Sequence, residues 1–360
     1  MNFEHLTIRD VKARAVVSPI ARPVRTAVGA IPAAPLVLID VTTEQGITGR
    51  AYLFGYQPAT LVPMVKLIEE LAPDMKGKAV VPFERMREFD LRFKLVGLQG
   101  LIAMVVSGLD MALWDILGQA ADQPVARLLG GTPKPLKAYD SYGIVDIRAD
   151  EKHMLQSLER GFKAIKIKIG AGDLSQDVEA VRWARELIGP DIALMVDYNQ
   201  SQDPAEAIRR IERLAEFDLH WVEEPVSAQD LQGHARVRKA SPVRIQTGEN
   251  WWLPRDVQRS IDAGASDFAM PDIMKIGGVT GWLGAAALAD AASLPLSSHI
   301  FVEASAHVLA ITPTFHWLEY LDFAGGIMEE PIEVVDGCVT ARGPGLGMVW
   351  NERAVDQHTL

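Results

Sequence analysis

The sequence is poor in cysteine, with a single one, Cys338, among its 360 residues. One cysteine cannot form an internal disulfide or a cysteine metal cluster, and such sparse use is typical of a reducing compartment. Basic residues are also in the minority, since 36 lysines and arginines stand against 47 aspartates and glutamates. A net charge of -11 gives no sign of the basic patch that nucleic-acid binding usually requires. We therefore expect no nucleic-acid partner.

The N-terminal stretch MNFEHLTIRDVKARAVV lacks the charged, apolar and cleavable segments of a signal peptide. No apolar run is expected to be long enough to cross a bilayer. We therefore predict a cytoplasmic protein without a membrane partner. With 48% hydrophobic and 23% charged residues, the composition is that of a globular protein. A length of 360 residues favours two domains.

The first third has the pattern of an α+β unit. Alternation and turn signals in 6–17 and 34–54 predict antiparallel strands, and three helical patterns follow up to residue 123. A cluster of glycines and prolines then punctuates the chain. We assign residues 1–132 to an α+β capping domain with a lid loop, completed by the C-terminal tail 325–360, where strand patterns return.

From residue 133 to 324, short apolar strands alternate with helical stretches. Eight strands are predicted, which end near YDS, IKIKIG, LMVDYNQ, WVEEP, IQTGEN, FAMPDIMK, PLSSHIF and HWLEY. This alternation is typical of a parallel sheet, and eight strands close a (β/α) barrel. Because the last repeat has little room for a helix, we predict the α/β fold of a (β/α)7β modified TIM barrel.

Polar and mostly ionisable side chains lie at the C-terminal ends of these strands, where the active sites of such barrels form. In chain order they are Ser141, Lys166 with Lys168, Asp197 with Asn199, Glu223, Glu249, Asp272, His299 and Glu319. Helix capping would favour serine, threonine, asparagine and aspartate instead. A purely structural explanation is therefore the weaker one.

Three carboxylates, Asp197, Glu223 and Glu249, follow successive strands at intervals of 26 residues. Three such anions cannot share a site without a cation or protons. Because all the ligands are hard oxygens, Mg²⁺ is the best candidate, with Mn²⁺ as a possible substitute. The alternative, that each carboxylate is paired with a lysine or arginine, needs three such partners at one level of the barrel.

Lys166 and Lys168 share one face of the strand AIKIKIG, because side chains alternate along a strand. We predict Lys168 to be a general base whose pKa is lowered by its cationic neighbour, and Lys166 to contact a substrate carboxylate. A solvated lysine pair is the alternative. Asp272 and His299 end adjacent strands, so the carboxylate can orient the imidazole as a second base.

The motifs KIKIG, VDYNQ, WVEEP, TGENW, MPDIMKIGGVTGW, SSHIF and HWLEYLD resemble, in order and spacing, those of the enolase superfamily and of its mandelate racemase subgroup. The resemblance runs essentially the whole length and includes PVRTAVG and APLVLIDV near the start. It implies Mg²⁺-assisted removal of a proton α to a carboxylate, through an enediolate. It also implies that Asp197, Glu223 and Glu249 bind the metal.

The resemblance implies roles for the remaining strand-end residues. Lys168 would take the proton of the (S)-enantiomer, and His299, oriented by Asp272, that of the (R)-enantiomer. Glu319 would be a protonated acid with a raised pKa that donates to the substrate carboxylate, and Lys166 would help to neutralise that carboxylate.

The substrate contacts are also implied by the resemblance. Ser141 and Asn199 would contact the substrate hydroxyl or carboxylate. A lid over residues 24–31, with Val24 and Val28, would cover the distal group together with Tyr56 and exclude water.

The lid sequence RPVRTAVG departs from the subgroup at Arg25, and YGIVD after YDS also differs. Arg22 and Arg25 could face a polar substrate or simply lie on the surface.

The leading interpretation is a racemase of mandelate or a close aryl 2-hydroxy acid, and an acid-sugar dehydratase is the closest alternative. A Schiff-base aldolase and a binding barrel without catalysis are weaker alternatives. The subgroup also implies a homo-oligomer.

Overall fold

The computed structural model describes residues 6–26 and 29–360. The N-terminal part begins with a three-stranded antiparallel sheet in the order β1-β2-β3. Its strands are β1 (Ile8–Thr26), β2 (Gly29–Thr43) and β3 (Thr48–Phe54). The alternation of the sequence therefore predicted the sheet correctly, but its first two strands are longer than expected.

The extra length of β1 and β2 changes the nature of the predicted lid loop. Val24 pairs with Ile31, and Thr26 pairs with Gly29. The described part of the lid is therefore a two-stranded antiparallel ribbon that continues the sheet, not an irregular loop.

Four helices follow this sheet, and the first and third pack directly on it. They are α1 (Leu61–Met75), α2 (Pro82–Arg92), α3 (Gly100–Ala120) and α4 (Val125–Leu128). By length and composition, α3 could cross a membrane, which the sequence-based expectation had excluded. However, 78% of its most apolar stretch is buried inside the protein. Its apolar character is therefore explained by its place in the core, where it packs against β3.

A closed parallel barrel follows. Its assigned strands are β4 (Leu136–Ile144), β5 (Ala164–Lys168), β6 (Ala193–Asp197), β7 (Leu219–Glu223), β8 (Ile245–Thr247), β9 (Phe268–Ala269) and β10 (Leu318–Tyr320). Strands β4 to β9 pair in this order, and β10 pairs with β4 on the other side of the circle. A segment around residue 296 lies between β9 and β10.

The helices between these strands are α5 (Glu151–Glu159), α6 (Leu174–Ile188), α7 (Pro204–Leu214), α8 (Leu231–Ala240), α9 (Leu253–Ala263), α10 (Gly278–Ala291) and α11 (Val302–Ala310). Short 3-10 turns occur at Pro58–Thr60, Ala215–Phe217 and Gly325–Ile327. No α-helix follows β10 before the tail in the described chain. The architecture confirms the predicted (β/α)7β barrel with an N-terminal α+β cap.

The seventh predicted barrel strand, around residues 295–299, is not a continuous strand. Isolated bridges join Leu296 to Ala269 and Asp272 to His299. The backbone N–H of Ser297 donates to the carbonyl of Ala269, while that of Ser298 donates to the carbonyl of Trp317. The segment therefore lies between β9 and β10 and alternates its hydrogen bonds between them.

The C-terminal tail contributes to both parts of the molecule. It contains the hairpin β11 (Val334–Val335) and β12 (Cys338–Val339) and the helix α12 (Glu352–His358). β12 pairs with β4 of the barrel, whereas α12 packs on β1 of the N-terminal sheet. Earlier parts of the tail also contact the N-terminal part: Gly325–Ile327 packs on β1, and the backbone N–H of Leu346 donates to Asp115 of α3. The domain limits drawn from the sequence stay a prediction.

The strand AIKIKIG separates two environments. Ile165, Ile167 and Ile169 belong to the apolar layer between the barrel sheet and its surrounding helices. Lys166, on the opposite face, is buried within the barrel near the aromatic ring of Tyr139. The strand thus carries an ammonium group into the barrel interior while its other face stabilises the sheet–helix layer.

Candidate active site

The three predicted metal ligands meet at the C-terminal end of the barrel. Asp197 ends β6 and is paired in register with Glu223, which ends β7. Glu249 follows β8 after Gly248, whose φ of +139° and close approach to the Met270 backbone require glycine. One oxygen from each carboxylate lies within 4.8 Å of the others, and all three residues are buried.

Acidic groups outnumber basic groups at this end of the barrel among the described residues. The buried acids are Asp197, Glu223, Glu224, Glu249, Asp272 and Glu319. The basic groups are Lys166, Lys168, Lys275 and His299. If all six acids were ionised and the histidine protonated, six acids against four bases would leave two excess negative charges. Burial and the crowding of like charges instead raise the pKa of Glu223 to about 8 and that of Glu224 well above its ordinary value. Because uncompensated buried charge costs several kcal/mol per ion, a divalent oxygen-seeking cation fits this donor set.

Lys166 is a central counter-ion of the cluster. Its Nζ lies 2.7 Å from Oε1 of Glu223 and 2.8 Å from Oε1 of Glu319. Burial opposes its charge, but the surrounding carboxylates outweigh burial and hold the pKa of Lys166 well above its ordinary value. This lysine is therefore a permanent cation rather than a base.

Lys168 lines the cavity described below, and its ammonium contacts the Asp197 carboxylate. Burial and the charge of Lys166 both act to lower the pKa of Lys168, but Asp197 raises it further, so the net pKa lies above the ordinary value. The expectation of a lowered pKa for Lys168 is therefore wrong for these side chains alone, because the Asp197 carboxylate contacts the ammonium and outweighs the charge of Lys166.

His299 and Asp272 form the predicted pair. Nδ1 of the imidazole lies 2.6 Å from Oδ2 of Asp272, and Nε2 lies 3.3 Å from Oε2 of Glu249. Burial disfavours the imidazolium, but Glu249 and Asp272 outweigh it and raise the pKa of His299. The ring is thus held by one nitrogen, while the other faces the metal ligands and the cavity.

Glu319 differs from its predicted state. Burial raises its pKa, but the nearby Lys166 and His299 charges lower it to about 2. Its Oε2 also accepts a hydrogen bond from the backbone N–H of Ile300 at 3.0 Å. The expected protonated acid is therefore an ionised carboxylate in this arrangement, because Lys166 neutralises it directly.

The remaining predicted residues are placed as follows. Ser141 and Asn199 line the cavity, and the Asn199 side chain donates to Oδ2 of Asp197 at 2.9 Å. Val24 and Tyr56 line it from the capping side. Val28 lies outside the described residues.

One cavity of about 440 Å³ connects these groups. Its polar floor includes Lys168, His299 and Glu319. Both predicted bases therefore line the same cavity. Its apolar wall is formed by Val24, Ala30, Ile31, Phe54, Ile300, Leu321 and Phe323. The wall suits an apolar substituent on a small carboxylate.

Arg22 and Arg25 do not belong to the cavity lining. Arg22 donates to both carboxylate oxygens of Asp140, at 2.9 and 3.3 Å, and its guanidinium stacks on the Tyr142 ring. Arg25 lies 2.6 Å from Asp150. Both arginines therefore fasten the lid ribbon to β4 and the segment after it. Arg22 is mostly covered and fits neither alternative proposed from the sequence, whereas the Arg25 side chain is 41% exposed and lies at the surface.

Sequence reasoning missed several residues around the metal ligands. Asn250 and Lys275 lie within the quoted motifs TGENW and MPDIMKIGGVTGW, but no role was assigned to them. Glu224 was likewise passed over beside Glu223. Their positions next to assigned ligands were the available signal, whereas their hydrogen bonds join three different strand ends and required the structure.

Comparison with known protein families supports this architecture. The pattern of the "Mandelate racemase / muconate lactonizing enzyme, N-terminal domain" family matches residues 8–130. That of the "Enolase C-terminal domain-like" family matches residues 149–354. Together these two matches span most of the chain.

Three relatives indicate the range of chemistry. An enolase from Bradyrhizobium, crystallised with magnesium and mandelic acid, is 57% identical over 99% of both chains, with a TM-score of 0.97. The 3,6-anhydro-alpha-L-galactonate cycloisomerase of Streptomyces coelicolor is 33% identical over 87% of this chain and 88% of its own. The L-talarate/galactarate dehydratase of Salmonella typhimurium, liganded with Mg and L-lyxarohydroxamate, is 27% identical over 99% of this chain and 94% of its own, with a TM-score of 0.92.

Proposed function

Because this chain belongs to the mandelate racemase subgroup of the enolase superfamily, we propose that it is a magnesium-dependent racemase of a 2-hydroxy acid. Mandelate or a close aryl analogue is the proposed substrate. The observation that carries the proposal is the single cavity that presents Lys168, His299 and an apolar wall together.

Asp197, Glu223 and Glu249 would hold Mg²⁺, or Mn²⁺ as a substitute. When bound, the metal would act as a Lewis acid that stabilises negative charge developing on the substrate carboxylate. The oxygen-only donor set and the excess of acidic groups around it support this assignment.

Racemisation requires a base on each face of the α-carbon. Lys168 would remove the proton of the (S)-enantiomer, and His299 that of the (R)-enantiomer, through an enediolate. Asp272 accepts a hydrogen bond from Nδ1 of His299, which leaves Nε2 as the nitrogen that exchanges the proton. Each base becomes the acid that returns a proton in the opposite direction.

Lys166 and Glu319 would bind the substrate carboxylate. Lys166 offers a fixed positive charge between Glu223 and Glu319. The negative charge of an arriving substrate carboxylate would raise the pKa of Glu319. Glu319 would therefore be protonated when substrate is bound and ionised when it is not. Ser141 and Asn199 would contact the hydroxyl or carboxylate oxygens.

The lid ribbon and Tyr56 would enclose the distal group. Val24, Ile31 and Phe323 present hydrocarbon or aromatic surface to it. An aryl ring would gain roughly 25 cal/mol for each Å² of apolar surface removed from water. A hydroxylated sugar chain would instead leave its hydroxyl groups without partners at this wall, at a cost of about 1–3 kcal/mol for each lost hydrogen bond.

An acid-sugar dehydratase is the alternative. It is favoured by relatives such as the talarate/galactarate dehydratase and by the polar Gln200 and Asn250 at the cavity margin. The chemistry would begin with the same proton abstraction and then expel a β-hydroxyl group. His299 could serve as the acid for that step.

A substrate panel distinguishes the two functions. Purified protein with Mg²⁺ is incubated with enantiopure mandelate and, separately, with galactarate and other acid sugars. Chiral chromatography measures inversion, and semicarbazide measures 2-keto-3-deoxy acids. The proposal expects inversion of mandelate without release of a keto acid. Release of a keto acid from an acid sugar, without inversion of mandelate, overturns it.

We also propose that the protein is a homo-oligomer, which analytical ultracentrifugation checks.

A further inference from the structure

Beside the metal ligands, polar side chains form a connected chain that includes Asn250 of the cavity lining. Asn250 directly follows the ligand Glu249, and Glu224 directly follows the ligand Glu223. The Nδ2 amide of Asn250 donates to Oε2 of Glu224 at 2.8 Å and to Oε1 of Glu249 at 3.2 Å. One side-chain amide therefore bridges the ends of two barrel strands.

Lys275 completes this chain from the next strand. Its Nζ donates to Oδ1 of Asn250 at 2.8 Å, and the residue is only 4% exposed. The ammonium lies 4.8 Å from the centre of the Tyr56 ring and 5.8 Å from a ring centre of Trp252. The Lys275 ammonium is thus flanked by two aromatic rings and donates a hydrogen bond to Asn250.

The donors and acceptors fix the direction of the amide. An ammonium group has only donors, so Asn250 must present its oxygen to Lys275. Its NH₂ group then necessarily faces the carboxylates, which are acceptors when ionised. With Lys275 absent, the carboxylates alone would hold the NH₂ group, and the carbonyl oxygen of Asn250 would lose the donor that fixes the plane of the amide.

We infer that Lys275 and Asn250 form a positioning relay that orients the Glu249 carboxylate for the metal and joins it to the cavity wall at Tyr56. Neither residue is proposed to touch the reacting atoms. The inference rests on the proposed metal site and adds to it a required orientation of one ligand. Outer groups of this kind typically change metal affinity by about 10- to 100-fold when they are removed.

The relay can be tested because it and simple charge attraction predict opposite changes in Mg²⁺ affinity when the Lys275 charge is removed. Lys275→Met keeps the length and apolar contacts of the side chain but removes a positive charge close to the metal site. Coulomb attraction alone would then make Mg²⁺ bind more tightly. The relay predicts the opposite, because the freed amide no longer orients Glu249.

The experiment is calorimetric titration of the metal-free full-length protein with Mg²⁺, for the wild type, Lys275→Met, Asn250→Ala and the double variant. Each single variant should bind Mg²⁺ about 10- to 100-fold more weakly, and the double variant should be no weaker than the weaker single one. The control is Lys137→Met, which removes an ammonium that lies 4.1 Å from the Trp317 ring centre outside the cavity lining. Its Mg²⁺ affinity should be unchanged.

The outcomes separate the relay from the proposed function. If the wild type does not bind Mg²⁺, the metal-dependent function fails. If the wild type binds but Lys275→Met binds equally or more tightly, or Asn250→Ala is unchanged, the relay is overturned and the metal site stands. Should Lys275→Met not fold by circular dichroism, Asn250→Ala, which removes only an amide, decides the question.

Discussion

Nδ1 of His299 lies 2.6 Å from Oδ2 of Asp272, at the ends of two neighbouring barrel segments that meet in an isolated parallel bridge. The carboxylate accepts a hydrogen bond from Nδ1–H, which keeps the proton of the neutral ring on Nδ1 and leaves Nε2 unprotonated. That nitrogen faces Glu249 and the cavity. The pair therefore presents a base to one side of the cavity, while Lys168 lies on the opposite side of the metal ligands.

Asp272→Asn tests the orientation of His299. The amide can donate to Nδ1, which would place the proton on Nε2 and remove the base. We expect the exchange rate of the α-proton of (R)-mandelate to fall by about 10²- to 10⁴-fold, and that of (S)-mandelate to fall much less. Proton NMR in D₂O measures both rates. Equal losses for the two enantiomers would contradict the assignment.

Lys168→Met tests the other base. His299 can still remove and return a proton on its own face, so (R)-mandelate should exchange its α-proton with retention of configuration. (S)-Mandelate should not exchange, and racemisation should stop. Persistent exchange of the (S)-enantiomer would show that another group serves that face.

Metal removal should abolish activity reversibly. Treatment with EDTA should stop turnover, and Mg²⁺ or Mn²⁺ should restore it. Mg²⁺ at about one hundred times its dissociation constant should also stabilise the fold by about 2.7 kcal/mol, measurable as a higher melting temperature. Glu249→Gln, which removes one ligand charge, should reduce this gain. Full activity in EDTA would exclude the proposed metal role.

The anchor of the lid ribbon should matter for stability. Arg22→Met leaves the buried Asp140 carboxylate without its charged partner, and we expect a loss of about 3–5 kcal/mol in the free energy of unfolding. Adding Asp140→Asn should recover part of it. Urea denaturation measures each value, and the exposed Arg9→Met serves as a control that should stay within about 0.5 kcal/mol. A similarly small effect of Arg22→Met would count against the anchor.

His316 should contribute to acid sensitivity of the fold. Burial lowers its pKa to about 3, whereas the unfolded chain titrates near the ordinary value of 6.5. Its stabilising contribution is therefore present above about pH 6.5 and is lost as the pH falls toward 3. His316→Phe should make stability between pH 6 and 4 less pH-dependent, by up to about 1.4 kcal/mol per pH unit. An unaltered slope in His316→Phe would refute the expectation.

The sequence was sufficient to predict the barrel and the convergence of its strand ends. Regular spacing placed Asp197, Glu223 and Glu249 on successive strands, and the parallel register then brings their carboxylates together. The alternating pattern of AIKIKIG also predicted that Lys166 and Lys168 share one face of the strand, because side-chain alternation depends only on neighbouring residues. These successes concern features fixed by the order of elements along the chain.

Long-range contacts account for the failures. The protonation state of Glu319 depends on a lysine 2.8 Å away on another strand, which spacing does not reveal. The roles of Arg22 and Asn250 likewise depend on partners far along the chain. The seventh strand was expected to be continuous, but only isolated bridges at Leu296 and His299 join it to its neighbours.

The central claim is that two opposing bases act on one apolar 2-hydroxy acid. The most direct measurement is incubation of the wild-type protein with Mg²⁺ and (R)-mandelate in D₂O, followed by NMR and polarimetry together. We predict exchange of the α-proton accompanied by loss of optical rotation. Exchange with full retention of rotation would show a single working base and contradict the racemase, and absence of exchange would reject mandelate as the substrate.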